Sequence, residues 1–126
     1  PHPHPELLDE ARYGLVELHR AELEGASLIA TPGCNSSAAI LALAPLAAAG
    51  LLGESVVATI LTGVSGAGRS VAPGLHFPEL NENARPYKVA GTHRHTAEIE
   101  LSLGRVAAQG RSVATSGGPE RAAVSF

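Results

Sequence analysis

The fold depends on the stretch Ala30-Thr31-Pro32-Gly33-Cys34-Asn35-Ser36-Ser37. It follows a short β-prone run, Ser27–Ala30, and leads into an almost wholly apolar segment, Ala38–Ala49, which predicts a buried helix that ends at Gly50. Pro32 and Gly33 favour a tight turn between the two, and Ser36 and Ser37 are candidate helix caps. The sequence therefore predicts a strand, a turn and a buried helix, in that order.

Cys34 lies at or just before the first turn of this predicted helix, where unpaired N–H groups and the positive end of the helix dipole favour an anion. An anionic sulfur is a nucleophile, so the position favours a reactive thiolate. The alternative is that Cys34 is a small buried hydrophobic side chain, as many lone cysteines are. A lone cysteine becomes a candidate for catalysis when a histidine elsewhere in the chain can partner it.

Composition limits the class of protein. The chain has 126 residues, 44% of them hydrophobic, and a net charge of −3, which indicates one soluble globular domain over residues 1–126. Nine Lys and Arg against twelve Asp and Glu form no basic stripe, and two Phe and two Tyr offer few rings for base stacking, so we expect no nucleic-acid partner. A single cysteine excludes an internal disulfide and indicates a reducing, cytoplasmic compartment.

The sequence also argues against a membrane partner. The apolar run over residues 38–52 is interrupted by Pro45 and Gly50 and is too short to span a bilayer, and no N-terminal signal precedes it. The chain contains no methionine, and Ala123–Phe126 resembles a strand that is still in progress. We therefore expect a segment excised from a longer chain.

The opening residues 1–5 alternate proline and histidine, which predicts an extended, solvated lead-in. Its two histidines are too few to hold a metal ion, so no metal site is predicted. Residues 5–15 carry apolar side chains on one side and favour a short helix, whereas residues 19–24 are charged and expected to be exposed. Further on, Ser55–Thr62 is β-branched and predicts a central strand.

A glycine-rich loop, Gly63–Ser70, follows this strand and contains a cation, Arg69. Its N–H groups can approach an anion closely, and the guanidinium can pair with a carboxylate or phosphate. The glycine spacing is not that of a dinucleotide fingerprint, and no helical pattern follows it. The residues alone do not decide whether this loop is a structural turn or an anion-binding site.

A second helix is predicted after the irregular residues 71–86 and a short strand candidate, Tyr87–Ala90. Its apolar positions recur at helical spacing: Ile99, Leu103 and Val106. Thr96 is a reasonable N-cap for this helix, and Gly104 and Gly110 mark its fraying end.

The loop that enters this helix contains His93-Arg94-His95. Three interpretations of the two histidines are open. They are solvated loop residues, or they form a weak metal-binding pair, or one of them is a base for Cys34 with its imidazole oriented by Glu98. The residues alone do not decide between His93 and His95 as that base.

Taken in order, these segments resemble the catalytic domain of the N-acetyl-gamma-glutamyl-phosphate reductases, a family of arginine-pathway enzymes. The matching segments run from near residue 13 to near residue 100: Tyr13-Gly14-Leu15 with Glu17-Leu18, Pro32-Gly33-Cys34 with the alanine-rich helix, Gly63 through Arg69, Asn81-Glu82-Asn83, and Tyr87 through Ile99. Their combination and order are highly specific.

The resemblance implies an α+β fold like the C-terminal, catalytic domain of glyceraldehyde-3-phosphate dehydrogenases, excised from a longer chain that also carries a Rossmann domain. NADP is the implied cofactor, and its glycine fingerprint belongs to that Rossmann domain rather than to this segment. A small-molecule acyl phosphate and a homo-oligomeric assembly are the implied partners.

The resemblance also implies roles for individual residues. Cys34 is the implied nucleophile, His93 the acid/base and Glu98 its orienter. The implied substrate-binding residues are Ser65, Gly66, Arg69 and His95. Asn35 departs from the aromatic residue that often follows the family's cysteine, which keeps a related reductase of carrier-bound aminoadipyl or glutamyl phosphate as the alternative.

The implied reaction is the NADPH-dependent conversion of N-acetyl-glutamyl 5-phosphate to its semialdehyde and phosphate through a cysteine thioester. Cysteine suits this reaction because a thioester accepts hydride more readily than an oxygen ester does. The competing interpretation is a non-catalytic scaffold or subunit-contact domain with a buried Cys34. The isolated segment is expected to be inactive, because the site of the hydride donor lies mostly outside it.

Overall fold

The computed structural model describes residues 2–113 and 123–125. Within these residues the strands are β1 (Arg12–Tyr13), β2 (Ile29–Ala30), β3 (Ser55–Val57) and β4 (Ala123–Ser125). The helices are α1 (Val16–Leu23), α2 (Cys34–Ala48), α3 (Phe77–Leu80) and α4 (His95–Val113), and short 3-10 turns cover Pro5–Leu7, Val64–Ala67 and Pro73–Leu75. The fold mixes helix and strand, as predicted, and none of the described helices is both long and apolar enough to cross a membrane.

The core lies between α2 and α4, which pack against each other. Ile40 of α2 and Ile99 of α4 are fully buried, and each contributes about 1.5–3 kcal/mol of hydrophobic stabilisation. The predicted helical spacing in α4 is confirmed, because Leu103 is also in the core and Val106 packs against it. The buried face of α2 is rich in alanine, which lets α4 approach closely.

Gly110 lies where α4 comes close to the backbone at the end of α2. A Cβ atom at position 110 would collide with the carbonyl oxygen of Ala48 and would lie 2.9 Å from its carbonyl carbon. Helix α4 therefore does not fray at Gly104 and Gly110, as the sequence predicted, but continues to Val113. A glycine inside a helix usually weakens it, and here the packing of α2 on α4 compensates for that loss.

The strands form two short parallel pairs in the described part of the chain. β1 pairs with β2, with Arg12 opposite Ile29 and Tyr13 opposite Ala30. β3 pairs with β4, which confirms the strand predicted at Ala123–Phe126 for the residues that the structure describes there. The strand predicted at Ser55–Thr62 is paired only over its first three residues.

The helix predicted over residues 5–15 is wrong. Residues 5–7 form a single 3-10 turn, and the chain then enters β1, where the Arg12 N–H donates to the carbonyl of Leu28 at 2.9 Å and the Gly14 N–H donates to the carbonyl of Ala30 at 2.9 Å. Pairing with a distant strand satisfies these backbone groups better than a short isolated helix, whose nucleation is costly.

Residues 19–24, predicted as an exposed charged stretch, lie mostly within α1. His19 is buried there, and one of its ring nitrogens lies 3.0 Å from the carboxylate of Glu22. Its ring also meets the ring of Tyr13 edge-on, with centroids 5.8 Å apart. The sequence analysis did not predict this helix, because the side chain that it buries is a histidine and so gives no apolar repeat at helical spacing.

The strand predicted at Tyr87–Ala90 is also wrong. Lys88 and Ala90 have φ values of 46° and 57°, in the left-handed region, whereas a strand needs extended backbone.

The prediction for Gly50 is confirmed, because this residue has a φ of 68° just after the end of α2. There the Leu51 N–H donates to the carbonyl of Leu46 at 2.9 Å and closes the helix.

Candidate active site

Cys34 is the first residue of α2, and its side chain is exposed. Its thiol lies 3.7 Å from the side-chain oxygen of Asn35, to which it can donate a weak hydrogen bond. The residue before it, Gly33, has φ −66° and ψ 147°, values that any amino acid adopts. The backbone conformation therefore does not explain why position 33 is glycine.

The reason for glycine at position 33 is the imidazole of His95. A Cβ atom on Gly33 would collide with the Nε2 and Cε1 atoms of that ring and would lie 2.8 Å from its Cδ2. His95 is buried, so the ring has little room to move away. The first residue of α4 is thus packed directly against the turn that carries Cys34.

Neither serine of this turn caps α2, so that prediction is wrong. The Ser37 hydroxyl donates to the carbonyl of Gly33 at 3.0 Å, one helical turn back, and no side chain caps the helix start. The Ser36 hydroxyl, which is fully buried, donates instead to the carboxylate of Glu98 at 2.6 Å. Helix α2 begins earlier than predicted, and Ser36 already faces the packing partner α4.

The carboxylate of Glu98 collects three hydrogen bonds at the centre of the site. Its Oε2 accepts from Ser36, and its Oε1 accepts from the hydroxyl of Tyr13 at 2.6 Å and from the Gly33 N–H at 3.1 Å. The four residues come from β1, from the turn before α2, from α2 and from α4. One side chain therefore fastens the beginning of α2 to its surroundings.

The electrostatics of this group keep Glu98 ionised. Burial opposes its ionisation, but the hydrogen bonds from Ser36, Tyr13 and Gly33, and the nearby His95, outweigh burial and lower the pKa of Glu98. The opposite holds for the phenol: burial, then its hydrogen bond to the Glu98 carboxylate, raises the pKa of Tyr13 to about 12. Tyr13 is therefore a donor and Glu98 an acceptor across the neutral pH range.

His93 lies beside His95, with ring centroids 4.4 Å apart, and is buried rather than solvated. Its Nδ1 accepts a hydrogen bond from the backbone N–H of His95 at 3.1 Å, so a neutral ring carries its proton on Nε2. Burial, followed by the influence of His95, Lys88 and Arg94, lowers the pKa of His93. The imidazole is therefore mainly neutral at pH 7, and its one basic nitrogen, Nδ1, is the atom that accepts from the His95 N–H.

Two polar atoms at the start of α4 have no hydrogen-bond partner among the described residues. They are Nδ1 of His95 and the hydroxyl oxygen of Thr96, and both are buried. The predicted N-cap role of Thr96 is wrong, because α4 begins one residue earlier and the Thr96 N–H donates to the carbonyl of His93 at 3.0 Å.

The structure brings some of the predicted site residues together and leaves others apart. Glu98 and His95 contact Gly33, the residue before Cys34, and His93 contacts His95, whereas the Cys34 thiol itself hydrogen-bonds to Asn35. Ser65, Gly66 and Arg69 are exposed, and within the described residues none of them has a hydrogen bond or ion pair to the Cys34 turn. The backbone hydrogen bonds of this loop, such as that from the Gly66 N–H to the carbonyl of Gly63 at 3.1 Å, stay within the loop.

The sequence analysis did not predict that Tyr13 and Ser36 donate hydrogen bonds to the Glu98 carboxylate. Tyr13 precedes Glu98 by 85 positions and Ser36 precedes it by 62, so no local spacing connects them. The only available signal was that both residues fall within or next to the segments that carry the resemblance.

For metal binding, residues 2–113 and 123–125 contain no group of three or more His, Cys, Asp or Glu side chains suited to hold an ion.

Comparisons with known proteins agree with the predicted resemblance. Residues 34–118 match the family described as semialdehyde dehydrogenase, dimerisation domain. The N-acetyl-gamma-glutamyl-phosphate reductase of Thermus thermophilus is 57% identical over 126 residues, which are 100% of this chain and 36% of that protein. The enzyme of the same name from Symbiobacterium thermophilum is 50% identical over 116 residues, 91% of this chain and 33% of that protein.

A relative with a different name is nearly as similar. The LysW-L-2-aminoadipate/LysW-L-glutamate phosphate reductase of Saccharolobus solfataricus is 48% identical over 113 residues, 89% of this chain and 32% of that protein. The chain thus spans about a third of the length of the curated relatives it matches. The resemblance to the reductases is confirmed, and the names of the relatives divide between N-acetyl-glutamyl phosphate and LysW-linked aminoadipate or glutamate phosphate.

Proposed function

The chain belongs to the family of semialdehyde dehydrogenase dimerisation domains, and we propose that it forms part of an NADPH-dependent reductase of N-acetyl-glutamyl 5-phosphate. The observation that carries this proposal is the exposed thiol of Cys34 at the first residue of α2, with the buried ring of His95 against Gly33 and the ring of His93 against His95. A nucleophile and a proton carrier are thus available in one region of the molecule.

In the proposed reaction, the sulfur of Cys34 attacks the carbonyl carbon of the acyl phosphate. A C–S bond forms, and inorganic phosphate leaves with the electron pair of the broken C–O bond, so the product is a thioester on Cys34. The N–H groups of Asn35 and Ser36 belong to the first turn of α2 and lack intrahelical acceptors. These groups can stabilise the negative oxygen that develops during the attack.

His93 is the proposed acid and base. Its neutral ring takes the proton from the thiol before the attack, at the nitrogen that is freed when the hydrogen bond from the His95 N–H to Nδ1 is released. The protonated ring gives that proton to the oxygen anion that forms when the thioester is reduced, and it takes the proton back when the thiohemiacetal collapses to the aldehyde and the sulfur leaves as a thiolate. Glu98 and His95 support this region, because Glu98 holds the turn before Cys34 and His95 packs on Gly33.

The proposed source of hydride is NADPH, but the described residues do not fit its dinucleotide. The glycine-rich segment contains only a four-residue 3-10 turn, Val64–Ala67, and no α-helix begins directly after it. A phosphate-binding fingerprint needs a strand, a turn and a helix whose N–H groups face the pyrophosphate. We therefore propose that NADPH binds outside the described residues.

Ser65, Gly66, Arg69 and His95 are the proposed substrate-side residues. Arg69 is exposed, so its guanidinium is accessible to a carboxylate or phosphate of the acyl phosphate. The support for His95 is different in kind, because its buried Nδ1 has no partner among the described residues and can hydrogen-bond to a bound polar group.

A homo-oligomer, the glyceraldehyde-3-phosphate-dehydrogenase-like fold and a cytoplasmic location complete the proposal. Self-association is supported by the description of the family as a dimerisation domain. It is also supported by the outward side of the segment at residues 57–61, where Val57 is 82% and Leu61 is 86% exposed. Apolar side chains of this size are usually covered in the assembled protein.

The alternative substrate is a carrier-bound aminoadipyl or glutamyl phosphate, which the Saccharolobus relative's name supports. The test is a steady-state assay of the purified full-length reductase that contains this segment, with NADPH and each acyl phosphate in turn. We expect a higher kcat/KM with N-acetyl-glutamyl 5-phosphate. Higher kcat/KM with the carrier-bound substrate would select the alternative, and no turnover of either would overturn the proposed reductase in favour of a non-catalytic subunit-contact domain.

A further inference from the structure

We propose that Glu98 is a positioning residue that acts on Cys34 through the turn before α2 and not through an imidazole. This inference rests on the proposed function of Cys34 as the nucleophile. It differs from the role that the family resemblance implies for Glu98, which is to orient the ring of His93.

The first step of the argument is the placement of the three donors. The Gly33 N–H, which donates to Glu98 at 3.1 Å, belongs to the residue directly before the nucleophile. The Ser36 hydroxyl, which donates at 2.6 Å, lies two residues after it. Cys34 is therefore held on both sides by one carboxylate, and a shift of that carboxylate moves the sulfur.

The second step is the anchoring of the carboxylate itself. Glu98 is in the first turn of α4, one residue before Ile99, which is fully buried in the core. Its Oε1 is also held by the hydroxyl of Tyr13, at the end of β1. β1 pairs with β2, and β2 leads into the turn that contains Gly33. The carboxylate thus joins the strand pair, the turn and both core helices.

The third step is that the required chemistry is hydrogen bonding and not charge. A glutamine at position 98 can still accept from Tyr13 and Gly33 through its amide oxygen, and its NH₂ group can donate to the Ser36 oxygen. An alanine keeps none of these bonds. An imidazole that needs a carboxylate partner, by contrast, loses that partner's charge in both variants.

The experiment is a double-mutant cycle on kcat of the full-length reductase that contains this segment, with KM and the melting temperature measured for every variant. We expect Glu98→Ala to lower kcat by roughly 10²-fold, because misplacement of a reacting atom by about 1 Å costs that much. Glu98→Gln should stay within about fivefold of the parent. Ser36→Ala combined with Glu98→Ala should be no worse than Glu98→Ala alone, whereas His93→Asn and Glu98→Ala should multiply.

The matched control is Glu100→Gln, which removes the same charge from the same helix two residues away and should leave kcat within twofold. A purely structural role for Glu98 would lower the melting temperature but leave kcat per folded molecule unchanged, and that result would overturn the proposal. It is equally overturned if Glu98→Gln is as damaging as Glu98→Ala and both effects vanish in the His93→Asn background. If the Glu98→Ala protein does not fold, kcat is compared instead between Glu98→Gln, which keeps the hydrogen bonds without the charge, and Ser36→Ala, which removes one hydrogen bond and keeps the charge. Absence of activity in the parent would instead count against the proposed function.

Discussion

The imidazole of His95 fills the space that a side chain at position 33 would occupy. Because Gly33 has ordinary backbone angles, the contact between these two residues is what requires glycine before Cys34. The start of α4 and the start of α2 are therefore fitted to each other at the proposed active site.

This contact predicts the effect of Gly33→Ala. The added methyl group overlaps the buried ring of His95, and overpacking of this kind costs about 1–3 kcal/mol of folding free energy. We expect a lower melting temperature and a lower kcat, since the ring must move. Thermal unfolding and steady-state kinetics of the purified variant measure both effects.

Gly53→Ala is the matched control, because a Cβ atom there would lie 4.0 Å from its nearest neighbour, the carbonyl oxygen of Ser55. It should be nearly neutral. Adding His95→Ala to Gly33→Ala should restore part of the lost stability by removing the overlap. If Gly33→Ala is as harmless as Gly53→Ala, the packing of His95 on the turn is not as described.

The two glycines of α4 are predicted to respond in opposite directions to the same substitution. Gly110→Ala places a methyl group against the backbone carbonyl of Ala48, which cannot rotate away, so α2 and α4 must separate. Gly104→Ala meets nothing within 4 Å and should stabilise the helix by about 0.5–1 kcal/mol. Chemical denaturation of both variants measures the difference.

If Gly110→Ala were neutral or stabilising, the close crossing of the two helices would be contradicted. Equal destabilisation by both substitutions would show instead that the effect comes from the chain's conformation and not from the contact with Ala48.

The Glu98 carboxylate predicts how stability depends on pH. Its pKa is lower in the folded protein than its ordinary value of 4.5, so the folded state binds fewer protons there than the unfolded state. Its contribution to stability is therefore fully present above about pH 4.5 and is lost as the pH falls through the folded pKa. Unfolding free energies measured from pH 7 downwards should decrease over this acid range.

The Glu98→Gln variant should lack this part of the decrease, since it has no proton to bind. The comparison is between the slopes of the parent and the variant, because the two proteins differ only in the side chain at position 98. Identical slopes would mean that the three donors do not hold Glu98 in its ionised form.

The sequence predicted the parts of the fold that are set by local pattern. The spacing of Ile99, Leu103 and Val106 gave α4, and the apolar run after Ser37 gave α2 with its end at Gly50, because burial of one face of a helix repeats with the helical period. The same reasoning placed Cys34 at a helix start.

Local pattern failed where distant contacts decide the structure. Residues 5–15 have helical spacing, but the backbone of Arg12 and Tyr13 pairs with β2 instead. Tyr87–Ala90 is rich in strand-forming residues, yet Lys88 and Ala90 adopt left-handed angles. The hydrogen-bond donors to Glu98 could not be predicted either. They lie on segments that are far from Glu98 in the sequence and meet it only in the packed fold.

The two adjacent histidines are predicted to differ in their effect on turnover. His93→Asn should lower kcat by roughly 10²–10⁴-fold, the usual contribution of a general acid or base, whereas His95→Asn should cost much less. Since the pKa of His93 is lowered by burial and by its cationic neighbours, the parent should lose activity only below the ordinary histidine value of 6.5. Profiles of kcat against pH for the parent and for both variants measure this.

The reverse order, with His95→Asn the more damaging change, would assign the proton transfer to His95, whose ring packs on the residue before Cys34. Equal and small losses would remove both residues from the proton-transfer steps.

The covalent role of Cys34 is the central claim, and intact-protein mass spectrometry after mixing with acyl phosphate in the absence of NADPH tests it most directly. We expect one acyl group per chain, inorganic phosphate released in equal amount, and an adduct that peptide mapping places on Cys34. Cys34→Ser should give neither the adduct nor the phosphate burst, because a serine hydroxyl is not a nucleophilic anion at neutral pH. Phosphate release without an adduct on Cys34 in a parent that turns over, or turnover by Cys34→Ser within a few-fold of the parent, would contradict the thioester mechanism.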